Sequence, residues 1–111
     1  MDLPAFIMAQ PLLDIPFPPE MVEARAIRGD HGLVVFFVFH KAMELPAHAH
    51  KGQWGTVIEG QIELTIGGDT RVYHPGDSYD IPAGVEHSAR VPAGTKVMDV
   101  FEEPDRYPLK S

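Results

Sequence analysis

Residues 76–87 read Gly-Asp-Ser-Tyr-Asp-Ile-Pro-Ala-Gly-Val-Glu-His, and this stretch decides the fold. Within it, Tyr79 and Ile81 share one face of a short strand, as expected from the two-residue period of β-structure. Gly76 precedes the strand and the Pro82–Gly84 turn follows it, because Gly and Pro interrupt regular structure. A strand closed by turns at both ends, and followed by a histidine, indicates a fold of short β-strands.

The same pattern, in which short apolar runs are interrupted by turn-forming residues, continues through the chain from residue 22 onward. Runs rich in Val, Ile, Phe and Thr are broken by Gly, Pro or Asp roughly every 8–12 residues, which is typical of all-β proteins. We predict strands near Val22–Arg28, Leu33–Phe39, Glu44–His48, Trp54–Ile58, Gln61–Ile66, Thr70–Tyr73, Ser78–Ile81, His87–Val91 and Lys96–Glu102. Many short antiparallel strands at this spacing form a sandwich or a small barrel.

The first 19 residues differ from the rest, because they hold five of the eleven prolines. Proline removes a backbone donor and opposes helix, so this arm is predicted to be extended. Its apolar side chains are numerous enough to pack on the barrel or on a partner subunit, although a disordered leader is the alternative. The sequence therefore predicts an arm at residues 1–19 and one β-barrel domain at residues 20–111.

The predicted strand Leu33–Phe39 is apolar at every position. A strand that is apolar on both sides has to be covered on both sides, so its outer face is expected to meet the arm or a second chain. A homodimer is the natural prediction.

Composition excludes several classes of function. The chain has 111 residues, a mass of 12.3 kDa and a net charge of −7, with nine scattered basic residues. Binding to a phosphate backbone requires a basic surface, so a nucleic-acid partner is not expected. No apolar run reaches the roughly 20 residues of a membrane helix, and the start lacks the features of a signal peptide, so we expect a cytoplasmic protein without a membrane partner. The absence of cysteine leaves imidazole and oxygen ligands for any metal.

Candidate metal ligands stand at His48 and His50, which are separated by one residue. The period of two along a strand directs both imidazoles the same way, and neutral imidazoles are common ligands of divalent cations. Alone, the pair equally fits an exposed loop. Three other histidines lie in predicted turns or at strand ends and are interpreted as non-ligands: His31, His40 and His74.

Together, the His48–His50 pair and residues 76–87 resemble the two motifs of the cupin superfamily, the RmlC-like cupins. The second motif, Gly, five residues, Pro-x-Gly, two residues and His, is matched at every one of these fixed positions up to His87. The resemblance covers roughly residues 40–101 and implies a cupin double-stranded β-helix, or jelly-roll barrel. It also implies one divalent metal ion per chain, held by His48, His50 and His87 inside the barrel.

The sequence departs from the first cupin motif at the acidic ligand. Counting back from Gly60 places this ligand on Gln53, after a spacer one residue shorter than the family's usual minimum. Gln53 is therefore expected either as a neutral fourth ligand or just behind the ligands. Neutral ligands leave the metal charge uncompensated, which favours Lewis-acid chemistry on an anionic oxygen. Imidazole ligands accept Zn, Mn, Fe, Ni, Co or Cu, so the metal stays open. The second departure is Val91, where the family has asparagine.

Two aromatic residues are candidates for contact with a small-molecule ligand. Tyr79 could point into the barrel and transfer a proton as a catalytic residue, or it could be a wall residue with a satisfied hydroxyl. Trp54 could stack on a ring-shaped ligand in the pocket, or it could be a buried core residue. Glu63 and Asp99 are further acid–base candidates if they turn inward.

The leading hypothesis is a metal-dependent isomerase, cyclase or lyase that acts on a small anionic or sugar-like metabolite. In this respect the chain is similar to small cupins of uronate breakdown and polyketide cyclisation. An iron-dependent dioxygenase is the first alternative, and a non-enzymatic module that binds a small molecule is the second. The fold does not choose among them, because one barrel hosts many chemistries.

Overall fold

The computed structural model describes residues 2–110, which form one short helix and nine β-strands. The elements are α1 (Ala5–Met8), β1 (Val22–Arg28), β2 (Leu33–Phe39), β3 (Met43–His48), β4 (Gln53–Glu59), β5 (Ile62–Ile66), β6 (Asp69–Tyr73), β7 (Ser78–Ile81), β8 (His87–Val91) and β9 (Lys96–Phe101). Every predicted strand is present, and each boundary lies within one residue of the prediction. The all-β prediction is thus confirmed.

The strands form two antiparallel sheets that face each other. The larger sheet has the order β1-β2-β9-β4-β7, and the smaller has the order β3-β8-β5-β6. Because β4 pairs with β9 and β7, while β5 pairs with β8 and β6, the chain alternates between sheets in the manner of a jelly roll. Within residues 2–110, no helix has the length and hydrophobicity needed to span a membrane.

The core lies between the two sheets and follows the two-residue period of the strands. Val22, Phe39 and Val97 project from the larger sheet, and Ile62 and Leu64 project from the smaller one. Their partners in each strand alternate to the outside, as the burial pattern of β9 shows.

Gly60 closes the connection between β4 and β5 with a positive φ of 81°. A side chain there would collide with the buried Thr95, whose hydroxyl donates to the Gln61 carbonyl at 3.1 Å. Glycine is required at this turn for both reasons, and the turn fixes the register of β4.

The N-terminal arm is not extended throughout. Ala5–Met8 form one turn of helix, with the amide of Ala9 bonded to the carbonyl of Ala5 at 2.9 Å. This turn falls in the proline-free stretch after Pro4, and proline is tolerated at a helix start because no donor is needed there. Further along, Leu13 is only 3% exposed and forms a β-bridge with Leu109.

Candidate metal centre

Three histidines converge inside the barrel at one end of the smaller sheet. His48 is the last residue of β3 and pairs in register with His87, the first residue of β8. His50 follows in the connection to β4. The ring centroids are 4.3 Å apart for His48 and His87, and 4.8 Å apart for His50 and His87. One candidate ligand atom from each lies within 4.8 Å of the others, a spacing at which three side chains could hold one metal ion.

Each imidazole is oriented by a backbone carbonyl. Nδ1 of His48 lies 2.8 Å from the Pro46 oxygen, Nδ1 of His50 lies 2.7 Å from the Lys51 oxygen, and Nδ1 of His87 lies 3.0 Å from the Val85 oxygen. Since a carbonyl accepts, Nδ1 carries the proton and Nε2 keeps its lone pair. This is the outer hydrogen bond that orients a metal-binding histidine.

The free nitrogens are left without partners in the protein. Nε2 of His50 and Nε2 of His87 are both buried and make no hydrogen bond within the described chain. A buried polar atom without a partner is uncommon and calls for an explanation. A divalent metal ion fits this donor set, because it would accept all three Nε2 lone pairs at once.

Burial also keeps two of the rings in the form that binds metal. Burial is the main cause that lowers the pKa of His50 and of His87 below the ordinary value of 6.5. The nearby Arg106 and His48 lower both pKa values further. Since a metal competes with the proton for Nε2, neutral rings near pH 7 favour binding.

The cluster opens into a cavity of about 600 Å³ between the two sheets. Most of its wall is apolar, with Phe39, Met43 and Ile62 among the lining residues. The N-terminal arm contributes residues 14–17 and the C-terminal segment contributes residues 106–108. Besides the histidines, few lining residues carry polar side chains: Asp14, Gln53, Tyr79, Ser88, Asp99, Arg106 and Tyr107.

Gln53 is the first residue of β4 and lines the same cavity as the three histidines. Its side-chain amide lies within hydrogen-bonding reach of Asp99 and lowers the pKa of that carboxyl. An amide that donates to a carboxylate keeps its carbonyl oxygen available for another partner. This contact accounts for an amide at the position, because a carboxylate there would face Asp99 as a like charge.

Tyr79 faces inward and is only 3% exposed. Its hydroxyl donates to Oδ1 of Asp99 at 2.6 Å. Burial raises the pKa of Asp99 from 3.8 to about 6, against the lowering effects of Tyr79 and Gln53. Burial, with the Asp99 charge second, also raises the pKa of Tyr79 well above its ordinary value. Of the two carboxylates considered from sequence, Asp99 is buried against the cavity, whereas Glu63 is half-exposed and lines a separate surface depression.

Trp54 does not reach the cavity. It is 42% exposed, so the alternative of a buried core residue is wrong, and it is absent from the residues that line the cavity. The reason is strand geometry, because the neighbours Gln53 and Gly55 face inward and the residue between them must face outward.

Arg106 was not anticipated from the sequence. It follows β9 in an irregular segment, lines the cavity and packs over the Tyr107 ring at 4.6 Å. Its Nε is buried and makes no hydrogen bond within the described chain. No local pattern marks this residue, since its position depends on how the C-terminal segment returns across the barrel.

A jelly-roll barrel with three histidines directed into its cavity places this chain among small β-barrel proteins whose side chains could hold a metal ion. The family model described as "Cupin domain" matches residues 35–101, more than half of the chain. The chain therefore belongs to the cupin family. No match to a curated protein was found.

Solved structures agree with this assignment. An RmlC-like cupin from Shewanella frigidimarina is 28% identical with a TM-score of 0.75, over 89% of this chain and 87% of that chain. KdgF from Halomonas sp. is 22% identical with a TM-score of 0.70, over 90% of this chain and 87% of that chain. Oxalate decarboxylase from Bacillus subtilis is 19% identical with a TM-score of 0.69, over 89% of this chain but 28% of that chain.

Proposed function

We propose that this protein is a divalent-metal-dependent enzyme of the isomerase, cyclase or lyase class that acts on a small anionic metabolite. The observation that carries the proposal is the arrangement of His48, His50 and His87. Backbone carbonyls hold all three Nδ1 atoms, while two of the Nε2 atoms are buried without a partner beside the cavity. This arrangement supports metal binding, because it orients the three rings and leaves buried lone pairs that no protein donor satisfies.

The metal would be held by His48, His50 and His87, with the carbonyl oxygen of Gln53 as the fourth protein ligand. All four are neutral, so the ion would keep both positive charges. When bound, it supplies a Lewis acid that stabilises negative charge on a carbonyl, carboxylate or enolate oxygen. A related fold supports metal binding in principle, since Mn(II) centres are described for Bacillus subtilis oxalate decarboxylase, which is 20% identical over 79% of this chain.

Arg106 supports an anionic substrate. Its guanidinium is always charged, and its buried Nε lacks a partner beside the cavity. A planar guanidinium binds a carboxylate through paired hydrogen bonds. The cavity of about 600 Å³ suits a small metabolite, and its apolar wall strengthens charge interactions by excluding water.

The Tyr79–Asp99 pair supports proton transfer. Near neutral pH the Asp99 carboxylate accepts the hydrogen bond of the Tyr79 hydroxyl. With a pKa of about 6, Asp99 gains and loses a proton at little free-energy cost near neutrality. In this proposal the pair removes a proton from a carbon next to the activated carbonyl and returns it elsewhere on the substrate.

Deuterium exchange tests this function directly. Metal-loaded protein is incubated in D₂O with a panel of small keto acids, hydroxy acids and unsaturated sugar acids, and the products are followed by proton NMR. The proposal predicts deuterium at a carbon next to the carbonyl or carboxylate, or an isomerised product, without uptake of O₂. Substrate-dependent O₂ uptake would establish the dioxygenase instead. Binding without exchange or turnover across the panel would favour the non-enzymatic module.

A matched pair of variants ties the exchange to the site. Asp99→Asn is expected to abolish exchange while it retains the metal, because the amide cannot accept the proton. Asp30→Asn removes an exposed carboxylate in the β1–β2 turn that does not line the cavity, and it should leave the exchange rate unchanged. Equal rates in the two variants would refute the role given to Asp99.

A further inference from the structure

The cavity between the two sheets changes in character along the strands. Its walls consist of successive rows of inward side chains, because alternate residues of each strand face the cavity and paired strands hold them side by side. One row of the larger sheet includes Phe101, whose ring lies 5.7 Å from the ring of His50. In the next row Tyr79 and Asp99 flank Gly55. The polar side chains of this sheet thus lie close to the histidine cluster.

Arg106 is at the same end of the cavity. Its positive charge contributes to the lowered pKa of His50 and of His87, so the guanidinium lies within electrostatic reach of both rings. A carboxylate at this end could bind to the guanidinium through paired hydrogen bonds. We call this end the polar half of the cavity, which consists of the three clustered histidines, Gln53, Tyr79, Asp99 and Arg106.

The rows beyond the polar half are apolar on both sheets. The next inward residue of β9 is Val97, which pairs with Phe37 on β2. On the smaller sheet, Ala89 of β8 pairs with Leu45 on β3 and with Leu64 on β5. We call this end the apolar half of the cavity, and we define it by six lining residues: Phe37, Phe39, Met43, Leu64, Ala89 and Val97.

The other polar side chains that line the cavity do not reach the apolar half. Ser88 alternates with its two inward neighbours on β8, so its hydroxyl projects from the opposite side of the sheet. Tyr107 packs 5.7 Å from the Phe101 ring, at the end of the cavity that holds the histidines. Asp14 is an exposed residue of the N-terminal arm. A ligand group in the apolar half would therefore meet hydrocarbon.

We propose that the ligand of this cavity is an acid with a hydrocarbon body about the size of a six-membered ring, and not a hydroxylated sugar acid. Its carboxylate would bind in the polar half and its body in the apolar half. Successive rows of a sheet are about 7 Å apart, which suits a ring of this size. The inference rests on the proposed function for the position of the anionic group, and it adds the class of substrate.

The free energies of burial favour this class strongly. Each methylene group that leaves water for an apolar wall strengthens binding by roughly fourfold. Each hydroxyl group that leaves water without a new partner weakens binding by roughly tenfold. Two acids of equal charge and ring size should therefore differ widely in affinity when one carries hydroxyl groups and the other does not.

Isothermal titration calorimetry of the metal-loaded protein tests the proposal with three acids. Cyclohexanecarboxylate and galacturonate have the same charge and a six-membered ring, and acetate is the reference without a body. Cyclohexanecarboxylate should bind at least roughly tenfold more tightly than either of the others. Cyclohexanecarboxylate that binds no more tightly than acetate, or galacturonate that binds as tightly as cyclohexanecarboxylate, would overturn the proposal.

A matched pair of variants locates the hydrocarbon body. Ala89→Phe places a ring in the apolar half, so the advantage of cyclohexanecarboxylate over acetate should be lost. Ala93→Phe adds the same ring at an exposed position in the β8–β9 connection that does not line the cavity, and it should keep the wild-type advantage. An advantage that survives in folded Ala89→Phe would overturn the proposal. Circular dichroism establishes folding, and the three wild-type affinities decide the question if Ala89→Phe does not fold.

The affinities and the deuterium exchange are separate readouts. Tight binding of cyclohexanecarboxylate, with no exchange on any acid of the panel, would support the apolar ligand and refute the proposed enzymatic function. Exchange on sugar acids, with no preference for cyclohexanecarboxylate, would overturn this inference and leave the enzymatic function standing.

Discussion

The Tyr79 hydroxyl on β7 donates a hydrogen bond at 2.6 Å to Oδ1 of Asp99 on β9. Strand β4 lies between these two strands, and the hydrogen bond is possible because Gly55 on β4 has no side chain. In the larger sheet Gly55 pairs with Tyr79 on β7 and with Asp99 on β9, so the three residues lie side by side on adjacent strands. A Cβ on Gly55 would lie 2.5 Å from the Tyr79 ring and would also collide with Oδ1 of Asp99. The polar pair of the cavity therefore depends on the absence of one side chain.

Gly55→Ala is expected to separate Tyr79 from Asp99, because the new methyl group occupies the space between them. Overpacking of this kind should reduce the free energy of unfolding by roughly 1–3 kcal/mol in urea denaturation. The control is Gly29→Ala, where the added Cβ would have its nearest neighbour at 3.9 Å and should have little effect. Equal stability of the two variants would show that the close approach at Gly55 is not a constraint.

Tyr79→Phe is expected to leave the buried Asp99 carboxylate without its shortest hydrogen bond. The loss should destabilise the protein near neutral pH by roughly 1–3 kcal/mol, the range for a buried polar group that loses its partner. Because the Tyr79 hydrogen bond lowers the pKa of Asp99, its removal should also raise that pKa. Carbon-13 NMR of the Asp99 carboxyl measures the titration. An unchanged midpoint would contradict the assigned hydrogen bond.

The raised pKa of Asp99 predicts a pH dependence of stability with a definite sign. The folded state holds the proton up to a pKa of about 6, whereas the ordinary value is 3.8. The folded state therefore binds more protons in that window, and the stabilisation is lost as the pH rises through it. Relative to Asp99→Asn, metal-free wild type should lose on the order of 2–3 kcal/mol between about pH 4 and about pH 7. A difference that does not vary with pH would contradict the buried carboxyl.

Metal retention is expected to fall in acid. Since burial lowers the pKa of His50 and of His87, protons should displace the metal only below the ordinary histidine value of 6.5. Because the folded-state pKa values of both rings are depressed, their contribution to the free energy of unfolding is present above pH 6.5 and is lost as the pH falls. Dialysis at stepped pH, followed by elemental analysis, gives the midpoint of metal loss. Release above the ordinary histidine value would contradict the burial of these rings.

Gln53→Glu is expected to tighten metal binding, because a carboxylate adds charge to an otherwise neutral ligand set. It should also raise the pKa of Asp99, since the amide donor is replaced by a like charge. Competition with a coloured chelator measures the affinity. Gln61→Glu, on the exposed start of the next hairpin, controls for the added charge alone. Equal affinities in the two variants would show that Gln53 is not a ligand.

The strands could be read from sequence because their signals are local. Gly and Pro at the turns, and alternation along β5, mark boundaries without knowledge of distant partners. The convergence of His48, His50 and His87 followed from two motifs that resemble those of a known family. The outward position of Trp54 could also have been predicted from the sequence, because a residue next to the inward Gln53 must face outward in a strand.

Other features of the site depend on contacts between distant parts of the chain. The role of Gly55 exists only once β7 and β9 flank β4, and no local pattern reveals that register. Arg106 reaches the cavity because the C-terminal segment returns over the barrel, where Lys110 donates to the Leu12 carbonyl at 2.8 Å. Neither pairing has a short-range signal in the sequence.

Elemental analysis of the purified protein, beside a His48→Ala/His87→Ala variant, tests the central claim most directly. His31→Ala/His74→Ala is the matched control, because it removes two histidines from exposed turns away from the cavity. We expect about one metal ion per chain in the wild type and in the control, and none in the site variant, with all three proteins folded. Equal metal content in the site variant and the control, or no metal in the wild type after reconstitution, would contradict the three-histidine metal centre.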